Sequence, residues 1–502
     1  MKILLSFFLF IMSMFVHAQA YYVSPAGNDY NPGTLAAPFQ TLEKAQAAMR
    51  GSSTKTTYLR GGTYNRTTTL NLTAADKDES WLGYSGEIPI IDGQNNVATA
   101  IQISDAENIT IRWLTIQNYT TNGIKAGKVN NILIDSNTIK HITSTGWTQG
   151  AILFPGSGMF KNVKISHNYI QDLGYNGISI HAVSGCDISN LVIEYNIVYD
   201  YLKTVSDGGG IYIMDRGHSG VPVRVANNIV GNFGTPKGAS KHYYMDDLMS
   251  NVTIENNIGF GACSWAIQYH GGDNITVRNN IFDITLAGKL AYYQDVPSVG
   301  DFGMANNSFT CNIVYSSGTM PSELWNCSIA ATDALLNVSG NDYWHSGGIT
   351  MPNSGKIIDS NPLKINPGFV NAANHDYRFE GSSPMTCFQS IDISKIGPLP
   401  NGSPATGINN IQSKPGSQLI LYPNPLKNTD LTISLEGITG GENKNIAIYN
   451  ISGRSVYQKQ LDKTLGESSI TISQNVFTTT GVYLVKGFCG NKLNGVAKLV
   501  VE

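Results

Sequence analysis

The stretch NITIRWLTIQN (108–118) is echoed by NILIDSNTIKH (131–141), NVKISHNYIQD (162–172) and LVIEYNIVYD (191–200), then by VPVRVANNIVGN (221–232), NVTIENNIGF (251–260) and NITVRNNIFD (274–283). Each copy alternates apolar and polar residues, sets Asn at a corner, and adds a second short apolar pair. Strict alternation marks strands. The copies recur after 23 residues (108 to 131) or about 31 (131 to 162), a repeat architecture. A shorter strand precedes most copies: GAILFPG (150–156), NGISIHA (176–182), GGIYIMD (209–215), HYYMDD (242–247) and WAIQYHGG (265–272). No helix intervenes, LxxLxL is missing, and a propeller needs four strands in a longer unit. The pattern predicts an all-β chain whose residues 21–398 form a right-handed parallel β-helix. Asn227/Asn228, Asn256/Asn257 and Asn279/Asn280 should stack at one corner of successive coils.

Composition agrees. Of 502 residues, 52 are Gly and only 14% are charged, against about 25% in ordinary domains. That argues against helical bundles and suits tight turns. Net charge is −3, from 33 basic and 36 acidic residues, with no basic run. Nucleic acid and anionic membrane surfaces are therefore poor partners. Residues 1–20, MKILLSFFLFIMSMFVHAQA, have a charged start, an apolar middle and small residues at the end, as a secretory signal requires. The mature chain is expected to begin near Tyr21, with no membrane span. Six scattered Cys lack any CxxC pair, so no zinc site is expected. They read as buried free thiols, with Cys311–Cys327 as the conceivable bridge.

At the ends, TLEKAQAAM (41–49) reads as a short amphipathic helix capping the solenoid, and residues 361–384 resemble closing coils of secreted β-helix proteins. Residues 399–417, rich in Pro, Gly, Ser and Asn, read as a linker. In the last segment, 418–502, LILYPNP (419–425), NIAIYNISGRSVY (445–457) and GVYLVKG (481–487) read as strands of a small sandwich. Those motifs resemble the C-terminal sorting domain of the bacterial type IX secretion system. The resemblance implies a partnership with that machinery and a secreted or outer-surface location on a Gram-negative bacterium.

Matched positions of adjacent coils lie about 4.8 Å apart, and alternate residues point outward. Registering the short strands on Ile178, Ile211, Tyr243 and Ile267 gives two outward columns. One is His181, Met214, Asp246 and His270; the other is Ser179, Tyr212, Tyr244 and Gln268. Asp215 and Asp247 fall at matched positions beyond them. Rings, imidazoles and carboxylates on one wall suit a sugar cleft, and paired carboxyl groups suit glycosidic cleavage. Candidate catalytic residues are Asp207, Asp215, Asp246 and Asp247. Candidate substrate contacts are His181, Tyr212, Arg216, His242, Tyr244, Gln268 and His270.

DGGGIYIMDRG (207–217) followed by YYMDD (243–247) resembles segments of β-helical glycoside hydrolases, including those assigned as fucosidases and xylanases. The resemblance implies hydrolysis of a polysaccharide or oligosaccharide by Asp207 with Asp246 or Asp247, and requires no cofactor. The competing reading is a polysaccharide lyase or epimerase acting on a uronate polymer. It needs a Lys or Arg base, for which Arg216, Lys237 and Lys241 lie nearby, and could use Ca²⁺ held by the Asp cluster. Against it stands the acidity of the wall, which repels polyuronate. A non-catalytic carbohydrate-binding solenoid is the third reading.

Overall fold

Three short strands per turn, each with apolar residues facing in, close a three-sided coil around a continuous core. The computed structural model describes residues 20–403, except 157, 296–303, 329–335 and 354. Beyond these it describes 420–422, 426–427, 430–434, 444–450, 455–461, 469–477, 480–489 and 492–501. Residues 1–19 of the expected signal segment 1–20, and residues 404–417 of the expected linker, lie outside the described residues.

The strands stack into parallel sheets of 12, 10 and 11 members, each strand pairing with its counterpart one coil away. In the first sheet Ile109 lies opposite Ile132, and Ile132 opposite Val163. Such columns of Ile and Val run the length of the solenoid and form one buried cluster. Helix Leu42–Arg50 closes the N-terminal end as expected, with Leu42, Ala45 and Met49 buried and Thr41 capping it.

The Asn pairs divide between inside and outside. Asn227, Asn256 and Asn279 take left-handed φ values of 56°, 58° and 55°, which Asn tolerates at a corner. Asn228, Asn257 and Asn280 are wholly buried. They belong to a ladder running Asn137, Asn168, Asn196, Asn228, Asn257, Asn280, Asn312 and Asn341. Each Asn donates its amide and its backbone N–H to the next Oδ1, at 2.9–3.0 Å from Asn228 to Asn257. The last amide, Asn341, donates to the Asp359 carboxylate at 2.7 Å.

The C-terminal stretch departs from expectation. Residues 361–384 extend the solenoid by a single parallel bridge, Leu363 beside Asp342, and then leave it. Phe369–Asn371 and Asp376–Phe379 pair antiparallel, and Tyr377, Met385, Phe388 and Ile396 cover Ile229, Ile258, Ile281 and Ile313. Those isoleucines form an outward column of the third sheet, so the sheet needs an apolar cover.

The chain then runs back along the solenoid. Gln389 exchanges two bonds with Asn279, Gly397 donates to the Tyr195 carbonyl at 2.8 Å, and Leu399 donates to Ser136. Asn401 reaches the Tyr84 carbonyl at 2.8 Å. Residues 399–403 therefore belong to the solenoid rather than to a free linker. Cys311 is disulfide-bonded to Cys387, neither a free thiol nor Cys327's partner, because this strap brings Cys387 onto its coil. Cys186 and Cys263 are buried free thiols as expected.

Deleting residues 418–502 should leave a folded β-helix by circular dichroism. Deleting 385–502 should lower the melting temperature and promote aggregation, because it uncovers four isoleucines. Equal melting temperatures for the two truncations would refute the role given to the strap.

The second unit is a small antiparallel sandwich. One sheet has three strands, Ile420–Tyr422, Leu431–Ser434 and Ser469–Ile472. The other has four, Ser455–Leu461, Lys444–Asn450, Gly481–Cys489 and Lys492–Val501. Leu431, Ile433, Ile446, Ile448, Val485 and Leu499 form its core.

Candidate active site

The ten-stranded sheet carries the site, and its observed register is the expected one. His181 lies opposite Met214 and Met214 opposite Asp246; beside them Ser179, Tyr212, Tyr244 and Gln268 follow in line. Alternation fails at one position per strand. Gly209 pairs with Lys241 and Ile211 with Tyr243, while the residues between, Gly210 and His242, drop out of the ladder. They turn inward beside their inward neighbours. A Cβ on Gly210 would come within 2.2 Å of Val230, so only glycine fits there. His242 is fully buried and shares a 2.5 Å hydrogen bond with the Tyr201 hydroxyl. It cannot contact a substrate. Lys241, which strict alternation would turn inward, comes out instead, its ammonium 3.9 Å from the centre of the Tyr244 ring.

Asp207, Tyr212, Arg216, Tyr244, Asp246, Asp247 and His270 line a cleft of about 540 Å³, joined by His181, Tyr175 and Met214. Trp147, on the loop after the preceding coil's strand, stands at the cleft with 71% of its surface exposed. Sequence reasoning passed over Trp147 and Tyr175. A tryptophan in a Gly-rich loop was the available signal for the first; the second required the tertiary structure.

The four candidate aspartates differ sharply. Asp246 is nearly buried. Its Oδ1 accepts from His270 Nδ1 at 2.5 Å and from the Asp247 N–H at 2.9 Å, and its Oδ2 accepts from Tyr212 at 2.6 Å. Burial pushes this carboxyl up, but His270, Tyr212 and Tyr244 together bring it below the ordinary carboxylate value. Asp247 is held through Oδ2 by Arg216, from Nε at 2.7 Å and Nη2 at 2.6 Å.

Asp207 sits at φ +60°, an uncommon left-handed backbone for Asp, with its carbonyl accepting from Tyr175 at 2.8 Å. Lys241 donates to its Oδ1 at 2.6 Å, and 54% of its side chain is exposed. Asp215 does not join them. Its carboxylate caps the following loop, accepting from the Gly217 and Ser219 N–H groups and the Ser219 hydroxyl. The strand ends there, so matched position with Asp247 does not mean matched direction. Gln268 is also buried, donating to Gln294 at 2.8 Å, and does not line the cleft.

Ligand-type atoms of Asp246, Asp247 and His270 lie within 4.8 Å of one another. Ca²⁺ takes six to eight oxygens, whereas here one ligand is an imidazole and the carboxylate oxygens already hold N–H and O–H donors. These residues do not fit calcium.

Burial pushes His181 down to about 4 and His242 down to about 3. Both are neutral in the folded chain. Below about pH 6.5 the unfolded chain takes up protons that the folded one refuses, so stability present above that pH is lost as pH falls, by up to roughly 1.4 kcal/mol per unit per group. The melting temperature should therefore fall steadily from pH 6.5 toward pH 4, and less steeply in His242→Leu. A flat profile would contradict the burial of these rings.

The fold defines a class: this is a right-handed parallel β-helix. Residues 21–192 match the family model described as Pel9A-like, right handed beta helix region, and residues 420–502 match the secretion system C-terminal sorting domain. The chain thus joins a Pel9A-like right-handed β-helix to a sorting domain that marks it for secretion or the outer bacterial surface. No helix among the described residues is long and apolar enough to cross a membrane.

Uncharacterized protein YwoF of Bacillus subtilis is 34% identical over 139 residues, which is 25% of this chain and 29% of that protein. Pectate lyase PEL9 of Emericella nidulans is 42% identical over 83 residues, 16% of this chain and 20% of the lyase. The chain therefore spans less than a third of the curated relatives it matches. The lacto-N-biosidase of glycoside hydrolase family GH136 from Eubacterium ramulus superposes with a TM-score of 0.50 at 14% identity, covering 69% of this chain and 68% of that one. That likeness concerns the fold alone. The Pel9A-like match ends before Asp207 and before the strands bearing Asp246 and His270.

Proposed function

We propose that the chain hydrolyses glycosidic bonds of a polysaccharide or oligosaccharide in this cleft. One observation carries the reading: Asp207 and Asp246, from successive coils, face one sugar-sized cleft, the first half-exposed and the second held ionised. Aromatic rings supply faces for sugar stacking, with Trp147 at the cleft and Tyr212 and Tyr244 in the wall. Digestion of a polysaccharide panel followed by proton NMR tests it, with ordinary reducing ends as the expected product.

A second reading, a uronate lyase, is favoured by the pairing of each acid with a base: Asp207 with Lys241, Asp246 with His270, Asp247 with Arg216. The wall is less acidic than its Asp content suggests, so the charge objection to polyuronate weakens. Unsaturated uronate ends in the same digestion would establish the lyase and sink the hydrolase. The carbohydrate substrate and the type IX export machinery are the partners this reading requires.

A further inference from the structure

We infer that His270, rather than Asp246, exchanges the proton with the substrate, and that Asp246 is the positioning residue that orients it. The inference rests on the hydrolytic reading above and assigns roles within that site. Asp246 lines the cleft but has no oxygen left to work with. Both are taken by donors, four in all when the Tyr244 contact is included. A carboxylate so enclosed can neither attack an anomeric carbon nor hand over a proton without dismantling its cage. It can fix an imidazole. His270 Nδ1 is committed to it at 2.5 Å, with Asp247 Oδ1 next at 3.6 Å. The ring lines the cleft, and no described residue bonds its Nε2. This is the orienter–imidazole arrangement that selects one tautomer and sustains an imidazolium.

Position then divides the roles. His270 holds a carboxylate at Nδ1 and faces the cleft with its ring, the position an acid needs. Asp207 faces the cleft with one oxygen held by the Lys241 ammonium, the position a base needs. Its Oδ2 has no described partner. In the step, Asp207 takes a proton from water as the water oxygen bonds to the anomeric carbon. The bond from that carbon to the leaving sugar oxygen breaks, and that oxygen takes the Nε2 proton of His270. Solvent afterwards returns the proton from Asp207 to the imidazole. The charged or titrating groups facing His270 are Asp246, Asp247 and Tyr244 from the strand before it and the loop that follows. Arg216 and Tyr212, one coil further back, act through those two carboxylates.

The test uses the full chain with the substrate found in the panel. His270→Gln should lower kcat at least about 100-fold with KM changed less than about threefold, the scale of one lost acid–base group. Asp246→Asn should match it, and the double variant should be no worse than the lower single. Nitrogen-15 NMR of ring-labelled histidine should show a strongly deshielded Nδ1–H in the parent chain that disappears in Asp246→Asn. That spectrum needs no activity, so it judges the dyad even if the digestion shows a lyase. Near-normal kcat in His270→Gln with a raised KM would reduce His270 to a sugar contact and overturn the inference. Activity abolished by a chelator and restored by a divalent cation would do the same, by making the cluster a metal site.

Discussion

Asp246→Asn is expected to lower kcat at least about 100-fold, the usual scale for losing acid–base chemistry. The amide has the shape of the carboxylate but neither its charge nor its second acceptor. Facing His270 Nδ1 and the Tyr212 hydroxyl, it must present an N–H to one donor or rotate away. From the sequence, an outward carboxylate supports no core and the substitution should leave stability alone. The structure changes that expectation, because a buried acceptor for several donors leaves some of them unpaired when lost. A stability loss of about 1–3 kcal/mol should therefore accompany the kinetic defect. Asp207→Asn should match the loss in kcat with little change in stability, since its carboxylate is half exposed. Asp215→Asn should behave oppositely, costing stability through the Gly217–Ser219 loop while leaving kcat within a few-fold. Steady-state kinetics and urea unfolding of the three variants check the set. Normal turnover in Asp246→Asn would remove the site from this wall.

The second large effect is structural. Asn257→Leu should destabilise the solenoid by at least about 3 kcal/mol, since each buried group left unpaired costs about 1–3 kcal/mol. Asn257 receives the Asn228 amide and backbone N–H, and donates to the Asn280 Oδ1 and the Val225 carbonyl at 2.9–3.0 Å. Leucine has similar bulk but none of these bonds, and the site is closed to water. The opposite substitution in character, Asn256→Gly at the left-handed position outside the ladder, should be nearly neutral, because glycine accepts φ 58°. Thermal melts of the two neighbours distinguish a stacked amide ladder from a generic preference for Asn at corners. Similar losses in both would favour the latter.

These two residues show how much was legible. The period, the alternation and the Asn pairs fix a coil in which matched positions stack, so the outward columns could be aligned before any coordinates. That alignment placed Asp246 beside His270 correctly, because parallel register follows directly from the repeat. It misplaced His242, since one residue per strand leaves the ladder at a corner that alternation does not encode. Gly177 and Gly210 mark that corner in hindsight, each too close to a core valine for any side chain.

The sequence by itself determined the β-helix, its inward and outward faces, the sorting domain and the wall on which acids, rings and imidazoles gather. Repetition makes those readable, because each coil repeats the last coil's geometry. Tertiary structure alone decided which carboxylates face the cleft and which instead hold a loop. Asp215, Asp246 and Asp247 sit at or beyond strand ends, where direction is set by the following loop for the first, through Ser219, and by partners on neighbouring coils for the others, Tyr212 and His270 for the second and Arg216 for the third. The strap was hidden for the same reason. Residues 385–403 carry no repeat, and their course follows from the outward column of Ile229, Ile258, Ile281 and Ile313 on earlier coils, which water would otherwise meet.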